Sequence, residues 1–256
     1  MPIRRSSIVL IVLGVILVVL AALTKFVVEP SVSKMPTSLD VTNTFTGTGT
    51  LLNAAAVQAG DMQNAVARDV PVSVVRHTYV SDSEGDTAIV HDDFTVNAPN
   101  GVSLPTNHTY AIDRTTMGAA DAPTGQQVEE HEGLTIGLPI NPDAGAEYTL
   151  YDFATQSTFP MISNGSSTVA GREVLNYTVT ARGPLKDPAI AGGLPPALPK
   201  EQIAQIAALL PPSTRDQITA ALPSLPNPVP ISYTADSTLG LSADATLGTP
   251  VDGTLK

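Results

Sequence analysis

The sequence contains no cysteine and no tryptophan, and only 4% of its 256 residues are aromatic. Without thiols there can be no disulfide, no thiolate metal site and no cysteine nucleophile, so packing alone must stabilise the fold. Charge is sparse as well. Asp, Glu, Lys and Arg make up 14% of the chain, with a formal net charge of −11. Arg4, Arg5, Lys25 and Lys34 fall near the N-terminus against a single acid there, Glu29, so the remainder is strongly acidic. A surface of that sign repels phosphate backbones and disfavours nucleic acid as a partner. The familiar catalytic signatures are missing too: there is no G-x-S-x-G elbow, H-E-x-x-H helix, phosphate loop or dinucleotide glycine fingerprint. The expectation is a protein that is not an enzyme and takes no cofactor. A triad built from distant segments leaves no such signature, so a hydrolase stays open as a third reading behind two binding readings.

What the sequence does have is one long apolar run, Ile8 to Leu23, broken only by Gly14. With its small polar flanks it gives about 28 Å of helix, enough to cross a bilayer. Arg4 and Arg5 precede it, and the positive-inside bias then keeps the short tail cytoplasmic. A cleaved signal peptide shares that charge pattern, but Ala21-Ala22-Leu23-Thr24-Lys25 offers no A-x-A site. A buried core helix would carry a polar stripe, and the run has none. The expected organisation is a cytoplasmic tail at 1–5, a single-pass signal anchor at 6–28 and an extracytoplasmic domain at 36–256.

Strand patterning dominates that domain, which is expected to be mainly β: a twisted antiparallel framework with an inserted two-helix cap. Met35 to Thr50 alternates Thr with apolar residues. Val70 to Val80 and Thr87 to Val96 flank the turn residues Ser81 to Asp86, a hairpin expected to have a loop longer than two residues. Further runs occur at His108 to Ile112, Glu147 to Phe153, Val174 to Thr180 and Val229 to Leu241. The exception lies at 199–223. Ile203, Ile206 and Leu210 share one helical face after Pro199, which suits a first helical position. Ser213 to Asp216 resembles a variant capping box for a second helix carrying Ile218 and Leu222. An aliphatic face of this kind packs on the sheet by default; the alternatives are contact with a membrane or the lining of a lipid entrance.

Two histidines stand beside carboxylates, in His91-Asp92-Asp93 and in Glu129-Glu130-His131-Glu132. Strand neighbours face opposite ways, so only His91 and Asp93 of the first group can share an ion, and a solvated strand edge or loop is the expected reading of both. Asp82, Glu84 and Asp86 alternate as in a calcium loop but lack its length and its bidentate Glu, which leaves an ordinary turn. No metal site is expected.

One ordered set of segments goes beyond composition: Asp113-Arg114-Thr115-Thr116, Gly133 to Pro139, Glu147-Tyr148-Thr149-Leu150-Tyr151-Asp152, and Gly171 to Tyr177. Together with the N-terminal run, this order resembles the actinobacterial envelope family often labelled "porin PorA", itself similar in fold to class B scavenger receptors. The family's Y-x-x-W-D stands here as Tyr148-x-x-Tyr151-Asp152, without the Trp. The resemblance implies a β-framework with an apolar tunnel and a helical cap that handles membrane lipid or lipoglycan. It also implies structural roles for Asp113, Arg114, Thr115, Tyr148, Asp152 and Gly171. On this reading Ile203, Ile206, Leu210, Ile218 and Leu222 contact the ligand at the cap. The alternative is an envelope adhesion or assembly module with no lipid tunnel. A membrane-spanning barrel would need many ten-residue alternating segments and aromatic girdles, which 4% aromatics do not supply.

Since neither thiols nor well-spaced ligands are present, the domain is expected to fold without metal. Adding a chelator should leave its melting temperature within a degree or two, and a drop of many degrees would refute this.

Overall fold

A computed structural model of the chain describes residues 33–52, 56, 61, 64, 66–208 and 210–256. The apolar run and the anchor expected at 6–28 lie outside the described residues. Among the described residues, no helix is long and apolar enough to cross a membrane.

The first sheet is a meander of β1 (Asp40–Leu52), β2 (Val66–Glu84), β3 (Thr87–Ala98) and β4 (Val102–Asp113), antiparallel throughout and in sequence order. A hairpin of β5 (Thr149–Asp152) and β6 (Ser157–Pro160) follows. The second sheet pairs β7 (Ile162–Val169), β8 (Arg172–Pro184), β11 (Thr234–Asp244) and β12 (Pro250–Leu255) in the order β12-β11-β8-β7. Between β8 and β11 the chain makes an insertion. It holds α1 (Pro188–Ala191), α2 (Lys200–Ala207), α3 (Pro212–Ala221) and a two-stranded ribbon of β9 (Ala197–Leu198) and β10 (Val229–Pro230). Its two ends meet where Leu185 N donates to Tyr233 O at 2.9 Å. The mainly β class and the inserted helices therefore match the sequence reading, and the described strands form two separate four-stranded sheets and two two-stranded ones.

Several boundaries differ for local reasons. The β2–β3 loop is the tight two-residue type after all, because Gly85 takes φ +59° at its first central position and lets both strands run on to Glu84 and Thr87. β1 starts at Asp40 and not at Met35, whose backbone N–H instead donates to Arg114 O at 2.8 Å. Pro199 and Pro211 are the residues just before α2 and α3, and Ser213 lies inside the first turn, so the expected capping box does not form. The run at 229–241 is split into β10 and β11.

Alternation places Ala88, Val90, Tyr110 and Ile112 of the first sheet on the same core as Leu175, Tyr177, Val179 and Ala243 of the second. Met117, Leu134, Ile136 and Leu138 of the long connection fill the space between them, with Tyr151 and Met161 from the β5–β6 region. One backbone crossing fixes that connection. Gly248 (φ +69°) lies directly on the Leu138 and Pro139 carbonyls, and Leu138 N donates to Gly248 O at 2.9 Å. A Cβ there meets backbone, which cannot move aside, and a left-handed non-glycine residue is itself strained by about 1–3 kcal/mol. Gly248→Ala should therefore lower stability by at least about 2 kcal/mol in chemical denaturation. A variant within 0.5 kcal/mol, the usual range of a neutral substitution, would mean the crossing is loose.

Candidate functional site

The first sheet is longer than the core that covers it, and polar residues mark where the cover ends. In register across β2, β3 and β4, Val80, Val90 and Tyr110 form the last apolar row of the core; Thr78, Asp92 and His108 form the next. Beyond them come Arg76 and Phe94. The side chains of these rows share one face.

Asp92 is buried, and the structure corrects its expected place on a solvated edge. Arg76 grips it with two bonds of 2.7 Å, from Nε to Oδ1 and from Nη2 to Oδ2, and Thr78 Oγ1 donates to Oδ1 at 2.8 Å. The guanidinium lies 5.1 Å from the Phe94 ring centre, a cation–π contact. Removing one partner of such a buried pair strands the other charge, at a cost of about 3–5 kcal/mol.

His108, 2% exposed, is the second polar centre. Its ring packs 4.4 Å from that of Phe153, and Nδ1 lies 2.9 Å from Glu129 Oε1. Nε2 has no hydrogen-bond partner among the described residues and stands 3.9 Å from Oδ2 of buried Asp187. Asp187 in turn accepts from Ile190 N at 2.8 Å and so caps α1, which packs on β4. The root of the helical insertion is thus held at the His108 row. Burial opposes the charged imidazolium, yet the Glu129 bond and the carboxylates of Glu129, Asp187 and Asp92 outweigh it, so His108 titrates above its ordinary 6.5. His131 goes the other way: burial lowers it despite its contact with the Glu129 carbonyl. Its ring meets those of Tyr110 and Tyr151 edge-on, and burial pushes the Tyr151 hydroxyl up to about 12.

Past Arg76 and Phe94 the same face turns apolar and open. Phe45, Val74, Val96 and Leu104 stand side by side across all four strands. Val72 and Val102 lie beyond them, and then Val70. Phe45 is 42% exposed, Leu104 57% and Val102 40%. The opposite face carries Thr44, Thr46, Ser73, Thr95, Asn97 and Ser103 at the matching positions, with Val75 and Pro105 among them. From Val74 to Val70 the apolar platform runs about 14 Å, and at its first row four strands make it about 14 Å wide.

The clefts are different in character. One of about 1210 Å³ opens beside the His108 cluster and is lined by Asp121, Glu129, Glu130, Glu132, His131 and Tyr151 among others, a polar and acidic wall. A smaller one of about 230 Å³ on the second sheet is lined largely by polar residues such as Asn164, Asn176, Ser242 and Asp252. Among the described residues no cluster of three or more His, Asp or Glu is arranged to hold a metal ion.

Other residues singled out by the sequence lie apart from this cluster. Asp113 Oδ1 accepts from Thr115 N at 2.9 Å and Thr116 N at 2.7 Å, closing its own turn, and these bonds hold its carboxyl below the usual range. Arg114 Nε donates to Met35 O at 2.7 Å. Tyr148 OH accepts from Asp143 N, Asp152 accepts from Thr155, and Gly171 completes the β7–β8 turn with Ala170. Ile203, Ile206, Leu210, Ile218 and Leu222 are half-buried within the insertion, and none of them lines either cleft. The Arg76–Asp92 and His108–Glu129–Asp187 groupings escaped the sequence reading, although Arg76 and Asp92, charges on the strand face that carries Val74, Val80, Val90 and Val96, were a usable signal for the first.

The two histidines give opposite pH signatures. A raised folded pKa contributes stability that is complete below 6.5 and is lost as pH rises through the folded value; a lowered one costs stability as pH falls below 6.5. His108→Gln should therefore flatten the loss of thermal stability between neutral and mildly alkaline pH, whereas His131→Gln should relieve instability on the acid side. Identical pH profiles in both variants and the parent would refute these environments.

No curated protein matches the chain. The family described as Porin PorA, whose label is that of an envelope protein, has a model that matches residues 6–256, nearly the whole length. The chain belongs to the Porin PorA family.

Proposed function

We propose that this envelope protein binds, and passes on, a membrane lipid or lipoglycan, with the acyl part lying along the apolar face of the first sheet. The observation that carries this reading is the row Phe45, Val74, Val96 and Leu104, exposed at Phe45 and Leu104 and half-exposed at the two valines, on one face of a sheet whose other face there is mostly Thr, Ser and Asn. A contiguous exposed apolar patch of this kind marks an interaction surface. Its apolar length of about 14 Å is close to the ~15 Å depth of one leaflet's hydrocarbon, half of a ~30 Å core. Covering half-exposed side chains there contributes on the order of 1 kcal/mol each. Arg76 and the acids at the inner end give the platform one polar boundary, where a headgroup would stop.

The helical insertion is the cap in this proposal. It is rooted at that same boundary through Asp187 and α1, and Ile203, Ile206, Leu210, Ile218 and Leu222 supply its apolar side. The anchor at 6–28 holds the domain against the bilayer from which the lipid comes. No covalent chemistry is required of the site, which fits a binding protein and not an enzyme.

Phe45→Asp with Leu104→Asp changes exposed side chains and should leave the melting temperature within a few degrees. Native mass spectrometry of the full-length protein, with extraction of co-purifying lipid, should show recovery falling at least about tenfold. Ile206→Asp with Leu210→Asp should reduce recovery more than stability. Unchanged lipid in both variants, or no lipid on the parent chain, would overturn the reading in favour of an adhesion module.

A further inference from the structure

Unpaired backbone groups at a sheet edge invite another strand, and folded proteins guard such edges with proline, charge, bulges, short length or a covering segment. The four edges of the two four-stranded sheets are guarded unequally. The second half of β4 is covered by the returning chain, through Ala120 N to Ala111 O at 3.0 Å and Glu129 N to Thr109 O at 2.8 Å, and its open half carries Pro105. β7 has eight residues and loses register between Ser163 and Ser166. β12 has six residues, begins at Pro250 and carries Asp252. Among the described residues, β1 has none of these guards over most of its length. It runs for 13 residues with continuous register to β2 from Asp40 to Gly49. It holds no proline and no lysine, and its single charge is Asp40 at one end. Every residue from 40 to 48 is exposed, and among the described residues its backbone bonds only to β2.

We propose that β1 pairs antiparallel with β1 of a second copy of this chain, joining two four-stranded sheets into one of eight strands across a two-fold axis. Charge is the first argument for a second copy as the occupant. Two chains of net charge −11 repel at most surfaces, and β1 is a long neutral line along which they can approach. Pattern is the second. Thr occupies 42, 44, 46 and 48 on one face, while Val41, Asn43, Phe45 and Gly47 occupy the other. In an antiparallel pair the numbers of opposed residues have a constant sum. Matching Thr face to Thr face requires that sum to be even, so the axis falls on a residue and not between two. The regular stretch from 40 to 49 centres the axis near Thr44 or Phe45, which keeps the two Asp40 carboxylates about 27 Å or more apart. The interface is self-complementary, as a two-fold demands, and it sets the two apolar platforms edge to edge. It does not depend on lipid being bound.

The absence of native cysteine makes the test clean, since one introduced thiol can form only an intermolecular disulfide. Directly opposed residues lie ~4.5–5.5 Å apart at Cα, within the ~4.4–6.8 Å that a disulfide spans. In the full-length chain in detergent, Thr44→Cys and Thr46→Cys, oxidised singly and as an equal mixture, cover axes on 44, 46 and 45. Ser103→Cys, on the β4 edge, is the collision control. Light scattering should give a dimer mass for the parent, and one of the three samples should cross-link at least about tenfold faster than the control. A monomer mass overturns the proposal. So does a dimer whose cross-linking in all three samples is no faster than the control, because it would then be joined elsewhere.

Discussion

The first sheet outruns its core, and most of the molecule's character follows from that mismatch. β2 alone has 19 residues, more than the second sheet and the connecting segment can cover. A strand that continues past its packing partner must become polar on both faces, or present apolar side chains to something else. The second outcome is what β1 to β4 show, with Phe45, Val74, Val96 and Leu104 on one face and a Thr-rich surface on the other.

The transition is built from charges, which a sheet interior admits only when they are satisfied. Arg76, Asp92 and Thr78 satisfy one another across β2 and β3, and the guanidinium leans on Phe94, the first side chain of the open region. His108 extends this boundary onto β4 and reaches two elements far away in sequence, the 119–132 connection through Glu129 and the helical insertion through Asp187. The same row therefore closes the core, begins the platform and holds the root of the insertion. Such a junction responds to protonation more than ordinary core does, because a single imidazole faces carboxylates from two directions.

The antiparallel β class, the β2–β3 hairpin and the helical pair were all legible in strand alternation and proline framing. Local detail was less so. Gly85 tightened a turn that looked long, and Pro211 took the place just before α3 that the Ser213 pattern claimed. The site was the least legible part, for a physical reason. Asp92 and His108 are brought together by register between β3 and β4, and Arg76 by register between β2 and β3, and pairing is a property of two strands that neither segment shows alone. Family membership over residues 6–256 was legible in the order of its motifs, while the bonds of Asp113, Arg114 and Asp152 became visible only in three dimensions.

The central claim is that acyl chains lie on one particular face of the first sheet. Because the chain has no tryptophan, Phe45→Trp and Thr46→Trp each place a lone indole on opposite faces of the same strand. Loading the full-length protein with a phospholipid brominated along its acyl chains should quench and blue-shift emission from the position-45 variant while leaving the position-46 variant bright. Equal quenching of both, or of neither, would contradict the account.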